Sequence, residues 1–133
     1  SGSNCLQNKL YKSSLVSYAK TKLGKPYVWG AQGPNSFDCS GLIYYVYKNA
    51  ASITLPRTSS DQYSAGVAVS RSNLKAGDLI FSSTDGTGNI THVAIYVGDG
   101  QMIHAPRNGK NVEKVSINNS YWNKAYVGAR RVL

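Results

Sequence analysis

The segment Asp38-Cys39-Ser40-Gly41 puts one of the chain's two cysteines at the start of an apolar run, and its two histidines, His92 and His104, follow in one later stretch. That supplies one candidate each for a nucleophile, a base and a group to orient the base. A thiol attacks as its thiolate, so it needs an imidazole to take its proton, and the imidazole needs a third group to fix its tautomer. The chemistry this favours is that of a cysteine hydrolase. Asp38 is a good N-cap for a helix starting at Cys39, where the free amides and the helix dipole favour a thiolate. With an imidazolium beside it, such a cysteine is expected to titrate between about 3.5 and 7.5. The Cys39 amide could also donate to a developing oxyanion, and Gly41 keeps side-chain bulk away from that approach. One cysteine and two histidines could hold zinc with an open position. The spacing matches no zinc motif, however, and no carboxylate falls in register. No metal and no cofactor are expected.

Positioning these residues requires helices first and strands afterwards. Leu15, Ala19 and Leu23 recur every four residues, with Val16 beside them. This predicts a helix over 13–23, capped by Ser13 or Ser14 and stopped by Gly24. A second helix is expected over 39–49 on the stripe Leu42, Ile43, Val46 and Tyr47, and a short third over 59–65. Alternation with period two then predicts strands over 78–82, 92–97, 101–105, 112–117 and 125–132. The fold class is α+β, with a nucleophile-bearing helix packed on an antiparallel sheet of about five to six strands. Residues 1–9 read as an irregular lead-in, with Ser1-Gly2-Ser3 resembling an expression-tag scar, and 10–133 as one domain.

The two histidines pose a register problem. If Asp99-Gly100 is a two-residue turn, His104 opposes Ile95, and His92 and His104 project to opposite sheet faces. Both can line one site only with an odd loop length or a bulge, for which Gly98 and Gly100 are permissive.

Composition narrows the setting. There are 133 residues, enough for a core of their own, and no apolar run long enough to span a membrane. Fifteen Lys and Arg against six Asp and Glu give a net charge of +9. Such a charge favours polyanionic surroundings, yet the basic residues are scattered rather than gathered on one element, which argues against a nucleic-acid groove. Two cysteines make no disulfide framework, and Cys39 reads as a free thiol, with Cys5 in the polar N-terminus.

Six motifs in order then carry a resemblance. They are Tyr27-Val28-Trp29-Gly30, Phe37-Asp38-Cys39-Ser40-Gly41-Leu42, Pro56-Arg57-Thr58, Gly77-Asp78-Leu79-Ile80-Phe81, His92-Val93-Ala94-Ile95-Tyr96-Val97-Gly98 and Met102-Ile103-His104-Ala105. Together they closely resemble the NlpC-type family of bacterial cell-wall cysteine peptidases, from about residue 12 to the C-terminus. Ala31 departs from the pattern, where a second glycine often follows Trp-Gly. The resemblance implies a papain-like α+β fold and hydrolysis of peptidoglycan stem peptides, most often between D-γ-glutamate and the following diamino acid. It implies Cys39 as nucleophile, His92 as base and His104 as orienter. Tyr27 resembles the family's tyrosine beside the thiol, while Asp38 and Ser40 resemble residues that hold the free amine of an N-terminal L-alanine. Trp29 and Arg57, from two of the motifs, complete the expected substrate-binding set. The expected setting is the cell wall outside the cell, in a domain excised from a larger secreted or phage-encoded protein. A monomer drawn by charge to anionic wall polymers is expected. The rival readings are a cysteine- and histidine-dependent wall amidase or cross-bridge endopeptidase, and an inactive wall-binding module.

Overall fold

The apolar face of the first helix is short, yet the helix is long. The computed structural model describes the backbone of residues 2–133 and the side chains of residues 10–133. In it α1 spans Gly2–Lys20. Residues 2–9, expected to be irregular, are therefore its first turns. They lack an apolar period, but Leu6, Gln7 and Lys9 are strong helix formers and no proline interrupts them. Once the packed part of α1 supplies a nucleus, extension costs little. Ser1 and the Cys5 side chain lie outside the described residues. Leu15 and Ala19 are buried as expected, whereas Leu23 lies past the helix end and is exposed.

The next helix, α2 (Cys39–Ala51), starts where Asp38 caps it and buries Leu42, Ile43, Val46 and Tyr47. Thr58 caps α3 (Ser59–Gln62), which is shorter than expected. It stops where the Gln62 side chain turns inward to donate to the carbonyls of Ser40 and Pro56. The strands are β1 (Val67–Val69), β2 (Leu79–Ser82), β3 (His92–Gly98), β4 (Gln101–His104), β5 (Glu113–Ser116) and β6 (Tyr126–Arg131). They form one antiparallel sheet ordered β1-β6-β2-β3-β4-β5. Three elements escaped the sequence reading: β1, a 3-10 turn at Arg71–Asn73, and α4 (Ser120–Ala125), capped by Asn119. Each is too short to show a period.

The sheet is covered on both faces. Leu79, Phe81, Val93, Ile95, Ile103 and Ala105 pack with the buried residues of α1 and α2 in the main core. Ile80, Ala94, Met102 and Ile117 form a smaller core on the opposite face, beneath Tyr96, Val115, Trp122 and Tyr126. Fully burying one such aliphatic side chain contributes roughly 1.5–3 kcal/mol, so the main core dominates stability.

A bulge resolves the register problem. Gly98 pairs with Gln101, but Tyr96 pairs with Met102 and Ile95 with Ile103, so Val97 is the extra residue between them. Gly98 and Gly100 adopt positive φ, as does Asp99 between them. The shift brings His104 opposite Ala94, which shares a face with His92.

Candidate active site

Cys39 is presented by a polar cluster that clamps the start of α2. Asp38 Oδ1 accepts from the Gly41 amide at 2.7 Å and from Ser40 Oγ at 3.4 Å. Its Oδ2 accepts from the Gly30 amide at 3.0 Å and from Arg57 Nη2 at 3.0 Å. Arg57 also donates through Nη1 to Ser40 Oγ at 2.8 Å and through Nε to Gln32 at 2.9 Å. Asp38 and Ser40, expected to face a substrate amine, are bonded within the protein here. Both carboxylate oxygens already hold two donors, which is their acceptor capacity, and Arg57 balances the charge. Gly41 has a different role from the one expected. A Cβ there would lie 2.1 Å from the Ala31 carbonyl oxygen, so the missing side chain makes room for the 30–32 loop rather than for a substrate.

His92 opens β3 and His104 closes β4, both buried. Their rings meet edge to face, with His92 Nε2 2.8 Å from His104 Nδ1. His104 Nε2 lies 3.1 Å from Glu113 Oε1 on β5, and Glu113 is the direct cross-strand partner of His104. Trp122 of α4 stacks on His92 at 5.3 Å and meets His104 edge-on at 5.1 Å. The Val93 amide, one residue past His92, acts on the Cys39 thiol, which ties the start of α2 to the start of β3. With His92 Nε2 engaged by His104, Nδ1 is the ring nitrogen left to exchange a proton with the thiol.

Cys39, His92, His104 and Glu113 share a cleft of about 690 Å³ with Tyr27, Trp29, Thr84, Thr91, Tyr121 and Trp122. Arg107 and Lys110 stand in its wall. Of the expected substrate-binding set, Tyr27 and Trp29 line this cleft, while Asp38, Ser40 and Arg57 are bonded to one another outside its lining. Sequence reasoning missed Glu113 and Trp122. The alternation that puts Glu113 beside His104 could have been found from the 113–116 strand once its pairing was known. Trp122 left no signal.

Burial governs protonation. It pushes the Cys39 thiol up, helped by the Asp38 charge and opposed by the amides of Val93, Ser40 and Cys39. Burial, and then His104, lower the pKa of His92 to about 3. Burial also lowers His104, against the pull of Glu113. Both shifts favour the neutral form, of the thiol and of the imidazole alike. The helix start by itself favours the thiolate, so the two influences oppose each other. A helix dipole contributes at most about 2 kcal/mol, while desolvating an ion costs several. Burial first, then Cys39 and Asp38, raise Tyr27 against the pull of Arg57, so its hydroxyl stays protonated.

A helix start carrying a thiol, set against imidazoles on an antiparallel sheet, defines a papain-like α+β domain. Residues 24–131 match the NlpC/P60 family, and the chain belongs to it. It is 45% identical over 130 residues to the murein DD-endopeptidase MepH of Escherichia coli K12, covering 94% of this chain and 48% of that protein. It is also 45% identical over 120 residues to a gamma-D-glutamyl-L-lysine dipeptidyl-peptidase of Bacillus cereus, covering 90% of this chain and 36% of that protein. A crystal structure of an NlpC/P60 family protein from Bacillus cereus superposes with a TM-score of 0.87 at 44% identity, covering 92% of this chain and 40% of that one. The chain thus spans half or less of these relatives' length.

Proposed function

We propose that this domain is a peptidoglycan hydrolase that cleaves the D-γ-glutamyl–diamino acid bond of wall stem peptides, with Cys39 as nucleophile. The observation that carries the reading is the shared cleft, lined by the Cys39 thiol and by a buried imidazole already hydrogen-bonded to a second one. Because burial favours the neutral form of both groups, the proton moves from Cys39 to His92 as sulfur attacks the amide carbonyl carbon. The Cys39 amide and the Tyr27 hydroxyl stand as donors for the resulting oxyanion. Collapse expels the amine, which takes the proton from His92 and leaves a thioester. Water, deprotonated by His92, then releases the acid and regenerates the thiol. His104 orients His92 through Nε2. Trp29, four-fifths exposed, offers an apolar wall to the substrate. The +9 charge concentrates the domain on anionic wall polymers outside the cell.

A second bond choice has its own support. Similarity to MepH over nearly the whole chain favours a cut at the cross-bridge. Digestion of purified peptidoglycan followed by mass spectrometry of the new termini separates the two. A new diamino-acid N-terminus paired with a D-glutamate carboxylate supports the first reading, and cross-linked dimers resolved into intact monomer peptides support the second. Wall binding with no soluble fragment released overturns both.

A further inference from the structure

We infer that Glu113 is a positioning residue of this array, whose carboxylate sets the direction in which the protons of both imidazoles point. The inference rests on the proposed hydrolytic role of Cys39 and His92. An ionised carboxylate can only accept a hydrogen bond. At 3.1 Å from Glu113 Oε1, His104 Nε2 must therefore carry its proton. A neutral His104 then has a bare Nδ1, which can only accept from His92 Nε2 at 2.8 Å. His92 is left with a bare Nδ1 for the thiol proton. Each ring is locked by the next, and the sequence of constraints starts at Glu113.

The reverse arrangement is equally well hydrogen-bonded between the rings. If His104 carried its proton on Nδ1, it would donate to His92 Nε2. The His92 proton would then sit on Nδ1, facing the thiol, and His92 could not act as a base. Trp122 contacts both rings but cannot choose between the two directions. Among the described residues lining the cleft, Glu113 is the one carboxylate. The other titratable or charged groups there are Cys39, Tyr27 and Tyr121, with Arg107 and Lys110 on the loop after β4. Asp38 acts on Cys39 from the α2 side. None of these has a bond to His104. Glu113 is 45% exposed while His104 is 1% exposed, so the carboxylate sits at the rim while its partner is shielded.

The test compares Glu113→Gln, Glu113→Ala and Glu113→Lys. Nitrogen-15 spectra of the imidazoles in the substrate-free protein read the tautomers directly. The wild type is expected to show Nε2–H on both rings. Glu113→Ala should show mixed tautomers, and Glu113→Lys, which places a donor at His104 Nε2, should show the reversed pair. On peptidoglycan, kcat should fall about tenfold for Glu113→Ala, in the range for losing an outer hydrogen-bond partner, with KM within about twofold. Glu113→Lys should fall further. Glu113→Gln, whose amide oxygen still accepts, should lie between wild type and Glu113→Ala. Melting temperatures should stay within a few degrees, since the side chain is half-exposed. A single Nε2–H tautomer on both rings in Glu113→Lys, or an unchanged kcat in that variant, overturns the inference. An inactive wild type with the expected tautomers overturns the hydrolytic reading instead, because the spectra need no turnover.

Discussion

Single side chains divide here into those that react and those that hold them. Cys39→Ser should lower hydrolysis more than about a thousandfold, the scale of removing a nucleophile from a triad, while its melting curve matches wild type. Peptidoglycan release at near wild-type rate would remove Cys39 from the mechanism. His104 acts through His92, so its loss should be graded. His104→Gln keeps an acceptor for His92 Nε2–H and should retain measurable turnover. His104→Ala leaves that proton without a partner in a buried site and should lose about 10–100-fold in kcat. Equal activities in the two variants would show that the 2.8 Å bond does not orient the base. Asp38 is a holder: its four donors fasten the cap, the 30–32 loop and Arg57 together. Three candidate reactive positions were legible in the sequence because each role in a cysteine hydrolase had one candidate. The holders were not, since a carboxylate or an arginine has many potential partners and only packing selects one.

Two short elements decide how well the site works. The six-residue helix α4 brings Trp122 over both imidazoles. Burial is what lowers His92 to about 3. Trp122→Ala removes part of that cover, so the His92 pKa should rise toward its ordinary value. The acid limb of the rate profile should then shift to higher pH, because the base is protonated sooner. The melting temperature should drop as well, with a loss of about 2 kcal/mol, below the range for a fully buried Trp. An unmoved acid limb would mean that the indole does not control the imidazole's solvation. In the first turn of α2, Gly41→Ala should cost about 1–3 kcal/mol through overpacking against the Ala31 carbonyl, read by denaturant unfolding.

The whole molecule responds to pH and salt through charges that folding buries or leaves scattered. His92 titrates near 6.5 when unfolded and at about 3 when folded. Between these values the unfolded chain binds more protons. Stability is therefore complete above about pH 6.5 and declines as pH falls toward 3, by about 1.4 kcal/mol per pH unit for each imidazole held neutral. His104 acts in the same direction, lessened by Glu113. His92→Gln should flatten this decline in a melting series between pH 7 and pH 4, and a parallel decline in both proteins would refute the link. Wall binding by a +9 domain should weaken steeply with salt, since exposed charges are screened over about 8 Å at physiological ionic strength. Pelleting with purified walls at low and high salt measures it.

Residue types and local periods were enough to settle the class of the fold and the capped helix start at Asp38, and to single out Cys39, His92 and His104 as the candidate reacting set. These depend on near neighbours in the chain, where a cap, a four-residue stripe or an alternation leaves a pattern. The reach of α1 to Gly2 was also written locally, in propensity rather than in period. Whether the two histidines meet was not. The same two-residue turn with and without the bulge at Val97 differs by one residue of register, and that residue decides whether His104 shares a sheet face with His92. Glu113 joins the array because β5 pairs with β4 in one register, and Trp122 because α4 folds back over the sheet. The thiol's protonation is not set locally either: its helix position favours the charged form, while burial by the whole fold favours the neutral one. Contacts between residues far apart in sequence, and the solvent they exclude, are properties of the packed chain, so no local pattern could carry them.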